Sequence, residues 1–495
     1  MKNDKKRKIS VTFRLFKYIQ PIDNNKHVIR KHSCSDGENQ MNKRKTIHQS
    51  FMIFILILAI IIPLRSQERP MVLGYYPSWN KTVYPHTLIP FDHLTHICHA
   101  FIFPYEDGSL DLSSFTYDPE LIAACHANGV KVIISVGGWD TERTPRFAVM
   151  AQDSAARRAF VENITQFCID NGYDGIDMDW EYPPADIREF TSMLFRELRS
   201  ALSMVNKPMS LSIAAPSADP NDRYDWSVMN EVLDWVGVMT YDYYGSWTAK
   251  AGPNSPLYGT LSTTDQGWID RSVNHYMNEK GVSPEKLCIG TPFYGWQFEA
   301  SAMYGPITGA RQLRYFQIEP LISDGWTRYW DNATRTPYLI NPERTRVISY
   351  DDPESIIEKC NYIKYHGLRG TIIWALGQDF INNKTVLLDI LGSELSTYIR
   401  VLDRIAQPAA CELRPNFPNP FNTATRIPFS LKHTDTVNIR ILSIDGKYGF
   451  TLVRDTFEPG SYEITFQASS LPSGIYFCIM ETGNTIQTRK MALVK

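Results

Sequence analysis

The sequence predicts an α/β protein: a (β/α)8, or TIM, barrel with an α+β insertion between its seventh and eighth strands, followed by a small all-β sandwich. Three observations carry this. From residue 70 on, eight short apolar runs rich in β-branched residues alternate with segments of helical period, the pattern of right-handed βαβ units and a parallel sheet. The gap after the seventh run is too long for one helix. Beyond Ala406-Gln407-Pro408 the composition changes to short alternating strands separated by turn residues. A chain of 495 residues with 43% hydrophobic residues is long and apolar enough for a large barrel plus one small module.

In chain order, residues 1–66 come first and are set aside from the fold. Their apolar run FMIFILILAIIIPL (51–64) spans about 21 Å as a helix, short of the hydrocarbon core of about 30 Å. Lys43, Arg44 and Lys45 precede it and Ser66-Gln67 follow, the layout of a secretory signal peptide. The eight strand candidates are 71–76, 94–103, 130–136, 173–179, 208–215, 235–241, 286–293 and 370–376. Between them, Phe160, Ile164, Phe167 and Cys168 mark one helix face over 153–172, and Phe190, Leu194, Leu198 and Leu202 another over 186–205. Residues 297–349, rich in aromatics and Arg, read as the insertion, and SELSTYIRVL (393–402) as a helix. The barrel is therefore expected over 67–403, a linker over 404–415 and the sandwich over 416–495. Its IRILSIDGKYG segment carries an Asp-Gly hairpin turn. A doubly wound open sheet is the rival architecture, but no GxGxxG turn follows the first strand.

Charge narrows the function. Residues 1–66 hold 14 Lys/Arg against 4 Asp/Glu, leaving 37 against 49 for the rest, so the net charge of −2 hides an acidic body. Such a surface excludes nucleic acid as partner, because phosphate binding needs clustered Lys and Arg. The eight cysteines show no CxxC pair and no metal-ligand spacing with His, and read as buried free thiols.

The chemistry is concentrated in Asp174-Gly175-Ile176-Asp177-Met178-Asp179-Trp180-Glu181. Period-two alternation puts Asp177, Asp179 and Glu181 on one inward face at the barrel mouth, where barrel enzymes keep their active sites. Three neighbouring carboxylates repel one another and resist desolvation, so at least one keeps a proton near neutral pH. A carboxyl protonated at pH 7 is what a general acid requires. Mg²⁺ or Ca²⁺ would draw oxygens from several loops rather than from one strand face, and neither metal nor cofactor is expected.

DGIDMDWE resembles the DxxDxDxE signature of glycoside hydrolase family 18, the chitinases and their relatives. GYYPSW, SVGGW (135–139), MTYD (239–242), PFYGW (292–296) and IIWALGQD (372–379) agree with it in order. The resemblance implies a secreted chitinase acting on chitin or chitooligosaccharides as a monomer, by a retaining mechanism in which the substrate's own acetamido group is the nucleophile. Under it, Glu181 is the general acid, Asp179 stabilises the oxazolinium intermediate, and Asp177 is the buried partner sharing a proton with Asp179. Tyr241 steadies the acetamido group, with Met239 and Asp242 in the same subsite. Trp374 is the floor under the sugar, Tyr75 and Ser135 support the aspartate pair, and Tyr294 and Phe101 line the cleft. Trp139 and Trp247 stack on sugars on the leaving-group side, or else are loop packing. One departure stands out: Trp296 occupies a place where the family often has Arg.

Two rival readings remain beside the chitinase. An endo-β-N-acetylglucosaminidase acting on glycans can share the carboxylate strand. A chitin-binding lectin of the same fold usually lacks the Glu that this chain keeps. The C-terminal NFPNPFN, LPSGIYF and KMALVK segments are similar to the sorting domain of type IX secretion, which implies the secretion machinery as partner and export to the cell surface or medium.

Overall fold

The structure, a computed structural model, describes residues 69–495 except 261–263, 397, 404–407, 409, 423, 445–448, 469–470 and 484. The signal-peptide segment, part of the expected linker and the Asp-Gly turn lie outside the described residues.

All eight barrel strands form: β1 (Met71–Pro77), β2 (His96–Pro104), β3 (Lys131–Gly137), β4 (Gly175–Asp179), β5 (Ser210–Ala215), β6 (Trp235–Val238), β7 (Leu287–Pro292) and β8 (Gly370–Trp374). Each pairs in parallel with its neighbour, and β8 returns to β1 to close the barrel. The strands are buried along nearly their whole length, because parallel strands are covered on both faces. Two of the three helices read from sequence are present as α1 (Ser154–Asn171) and α2 (Arg188–Ser203). Asp153 caps α1 by accepting from the Ala155 and Ala156 N–H groups, and Gly172, at φ 80°, ends it in the left-handed conformation.

The insertion is a five-stranded antiparallel sheet made of Tyr294–Glu299, Ala310–Arg314, Thr327–Asp331, Thr336–Ile340 and Arg346–Ser349. It begins at Tyr294, three residues before the expected start, so PFYGW passes straight from β7 into the inserted sheet. The chain re-enters the barrel through α3 (Pro353–His366), opened by an Asp352/Ser355 capping box and closed by Gly367 at φ 63°.

The helix expected over 393–402 is corrected by the structure. Its final helix, α4 (Leu387–Ser396), ends before Tyr398–Asp403, a strand antiparallel to Gly460–Gln467 in the C-terminal sandwich. The sandwich comprises two four-stranded sheets around Ile427, Ile439, Ile441, Ile464 and Cys478. Among the described residues the cysteines are free, six of the seven buried, and no helix is long and apolar enough to cross a membrane.

Candidate active site

Strand register builds the site. Ser135 on β3, Asp177 on β4 and Ser212 on β5 stand side by side and are buried. The Ser212 hydroxyl donates to Asp177 Oδ1 at 2.7 Å. The Ser135 hydroxyl (2.9 Å) and the Tyr75 hydroxyl from β1 (2.7 Å) donate to Oδ2. Burial pushes the Asp177 carboxyl above the usual range, opposed by these hydroxyls and the Cys98 thiol. Ser212 was not among the residues singled out from sequence. The sequence carries no signal for it, because its role comes from the register that sets it beside Asp177.

Asp179 stands beside Gly137 in register, and its carbonyl accepts the Gly138 N–H at 2.7 Å. Gly137 has φ 121°, and a Cβ there would lie 2.1 Å from the Asp179 carbonyl oxygen, so this approach requires glycine. The SVGGW segment thus supplies both a tight turn and a hydroxyl aimed at Asp177. The Asp179 side chain is buried and its Oδ1 has no hydrogen-bond partner. Burial, then the charges of Glu181 and Asp177, push its carboxyl well upward.

The three carboxylates do not all lie on one strand. β4 ends at Asp179, and Glu181 follows in the loop, half-buried. Its carboxyl is pushed up to about 7, first by burial, with a Tyr182 hydrogen bond opposing and the Asp242 charge adding. Non-proline cis peptides occur at Ala100–Phe101, Glu181–Tyr182 and Trp374–Ala375, each beside a residue of the site.

Likewise β6 stops at Val238, so Met239, Tyr241 and Asp242 sit on the loop beyond it. Asp242 adopts φ 58°. Its Oδ1 accepts the Trp296 indole N–H at 2.8 Å, so Trp296 occupies the departure position as a neutral donor. Burial raises the Asp242 carboxyl against hydrogen bonds from Trp296 and Tyr294. Tyr294 meets Tyr241 edge-on at 6.1 Å. Trp374 stacks on Phe101 at 5.6 Å and is met edge-on by Tyr75 at 5.9 Å. Trp139 and Trp247 are 72% and 59% exposed, and Trp247 stands edge-on to Trp296 at 5.3 Å.

A cavity of about 820 Å³ extends from Trp374 between the loop after β1 and the insertion, lined by Trp79, Asn80, Arg314, Phe316 and Gln378. Gln378 Oε1 is buried without a partner. Trp79, in the GYYPSW segment, is 53% exposed here; its position just past the C-terminal end of a barrel strand is the signal that marks it. Among the described residues, His86, Asp118 and Glu120 lie close enough to hold a cation, each offering an atom within 4.8 Å of the others. The Lys81 ammonium already pairs with Asp118 and Glu120 at 3.1 and 3.2 Å, and the group lies outside the carboxylate strand.

Comparison with known proteins matches residues 71–379, which hold the barrel, insertion and carboxylate cluster, to the glycosyl hydrolases family 18. The chain belongs to that family. Residues 416–495 match a secretion system C-terminal sorting domain. A probable endochitinase of Caenorhabditis elegans is 30% identical over 361 residues, 65% of this chain and 57% of that protein. An endochitinase of Manduca sexta is 30% identical over 403 residues, 70% of this chain and 71% of that protein. The chain thus spans little more than half the length of the first relative. The solved structure of an Ostrinia furnacalis Group IV chitinase in complex with allosamidin is 26% identical, with a TM-score of 0.59, over 66% of this chain and 99% of that one. The fold it shares with this chain is the barrel described above.

Proposed function

We propose that the chain hydrolyses β-1,4-linked N-acetylglucosamine polymers with retention, using the substrate's acetamido group as nucleophile. The observation that carries this is the graded carboxylate trio: Asp177 gripped by hydroxyls, Asp179 buried with an unpartnered oxygen, and Glu181 at the mouth with its proton held to about 7. Glu181 gives its proton to the glycosidic oxygen as the bond to the anomeric carbon breaks. The acetamido oxygen attacks that carbon from the other face and forms an oxazolinium ion. Asp179 takes the acetamido N–H and balances the positive charge, with Asp177 behind it. The Tyr241 hydroxyl donates to the acetamido oxygen, and Trp374 supports the sugar ring from below. Water, losing a proton to Glu181, then opens the ring, and two inversions give net retention.

Trp139 and Trp247 offer stacking faces to leaving-group sugars, and the cavity beside Trp374 takes the other arm of the chain. The enzyme acts as a monomer, crosses the inner membrane by the segment around 51–64, and leaves through the type IX system by its C-terminal sandwich. Colloidal chitin and a high-mannose glycopeptide test the substrate class. Diacetylchitobiose from chitin, with the glycopeptide intact, is expected; cleavage of the glycopeptide alone would assign an endo-β-N-acetylglucosaminidase.

A further inference from the structure

The loop that carries Tyr241 and Asp242 is held from a distance by two buried residues. Asn254 and Ser255 are 0% and 2% exposed. Asn254 Oδ1 accepts the Asp242 N–H at 3.0 Å, and its carbonyl accepts the Tyr243 N–H at 3.2 Å. Its Nδ2 donates to the Tyr294 carbonyl at 3.1 Å, and its N–H to the Ser349 hydroxyl at 2.7 Å. The Ser255 hydroxyl donates to the Thr240 carbonyl at 2.6 Å. Polar backbone groups on both sides of Tyr241 thus end on this dipeptide, including the N–H of Asp242, whose positive φ is unfavourable outside glycine.

Behind it lies a buried ion pair. Lys359 Nζ on α3 donates to Ser255 Oγ at 2.8 Å and to Asp351 Oδ2 at 2.7 Å, and Ser355 completes Asp351 at 2.7 Å. Stability alone does not call for such a pair, because well-packed apolar residues in place of buried ions are often as stabilising. Its geometry instead fixes the Ser255 hydroxyl that grips Thr240.

We propose that Asn254 and Ser255, anchored by Lys359–Asp351, are positioning residues for the reaction, setting the Tyr241 hydroxyl and the Asp242 carboxylate against the sugar and Glu181. The inference rests on the chitinase reading. Glu181 is faced by Asp179, Tyr182, Tyr224, Tyr241, Asp242 and Tyr294. Of these, the Asp242 negative charge helps to keep the Glu181 proton on. Release of Asp242 therefore moves the basic limb of kcat to lower pH.

The test compares Asn254→Ala, Asn254→Asp and Ser255→Ala with wild type on chitotetraose, with Tm measured alongside. A control, Leu391→Ala, opens a cavity in α4. Asn254→Ala and Ser255→Ala are expected to lower kcat at least about tenfold, toward the ~10²-fold that a 1 Å misplacement can cost. KM should change little, and the basic limb should shift to lower pH. Asn254→Asp, which keeps the acceptor for the Asp242 N–H, should recover part of the rate. If Asn254→Ala does not fold, Ser255→Ala decides by the same readouts. Variants that lose only Tm, with the kcat and pH limb of wild type as in Leu391→Ala, would overturn the inference. A wild-type protein that leaves chitotetraose intact would instead overturn the chitinase reading beneath it.

Discussion

Glu181 carries the account at the level of single residues. Its carboxyl is raised to about 7 mainly by burial, so the acid form persists through neutral pH and is lost as pH rises through that value. Activity should therefore fall on the basic side with a limb near 7, read from kcat against pH on chitotetraose. Glu181→Gln should lower kcat by about 10²–10⁴-fold while chitooligosaccharide binding by calorimetry survives; a variant keeping more than about a tenth of wild-type turnover would remove Glu181 from the acid role. The same substitution has a stability sign. A carboxyl whose folded pKa is raised favours folding while protonated, and that contribution is lost as pH rises through the folded value. Glu181→Gln should therefore raise Tm relative to wild type above pH 7 and change it least in acid, which thermal unfolding at pH 5 and pH 8 would reveal. Trp296 belongs to this scale too: it holds Asp242 through a neutral indole N–H where the family often has Arg.

Among secondary-structure elements, the β3–β4–β5 layer is what makes a buried Asp177 tolerable. Ser212 is the hydroxyl on Oδ1, whereas Oδ2 has both Tyr75 and Ser135. Ser212→Ala should therefore destabilise the barrel more than Ser135→Ala, by about 1–3 kcal/mol, the range for stranding a buried polar group. Urea unfolding followed by tryptophan fluorescence checks the order of the two. The eight strands were legible because parallel strands buried on both faces give continuous apolar runs that other elements rarely imitate. The carboxylate trio was legible from its spacing, although the strand proved two residues too short to carry Glu181. Ser212, Asn254, Ser255 and the Lys359–Asp351 pair were not legible. A hydroxyl in a strand or a lysine in a helix gains its meaning only from the neighbour that tertiary structure supplies, across 35 residues for Ser212 and 104 for Lys359. SELSTYIRVL misled because a short apolar run satisfies helix and strand periods alike, and pairing with Gly460–Gln467 decides for the strand.

On the scale of the whole molecule, a family 18 barrel and a sorting sandwich share one chain; α4 ends at Ser396, and Tyr398–Asp403 pairs with the sandwich. A protein ended after Ser396 should fold and hydrolyse chitin as well as the longer form. One ended after Asp403 keeps a strand whose partner is gone, and should aggregate more readily in light scattering. Deleting 397–495 in the native host, which removes that strand together with its partner, should leave active enzyme in the periplasm, detected by fractionation and chitinase assay; full release to the medium would contradict the sorting role. The central claim, that the acetamido group rather than a directly attacking water reaches the anomeric carbon first, is tested by the anomer that forms first. Proton NMR of chitotetraose within the first minutes of hydrolysis, before mutarotation, should show β-anomer at the new reducing end, whereas α-anomer appearing first would contradict the substrate-assisted mechanism.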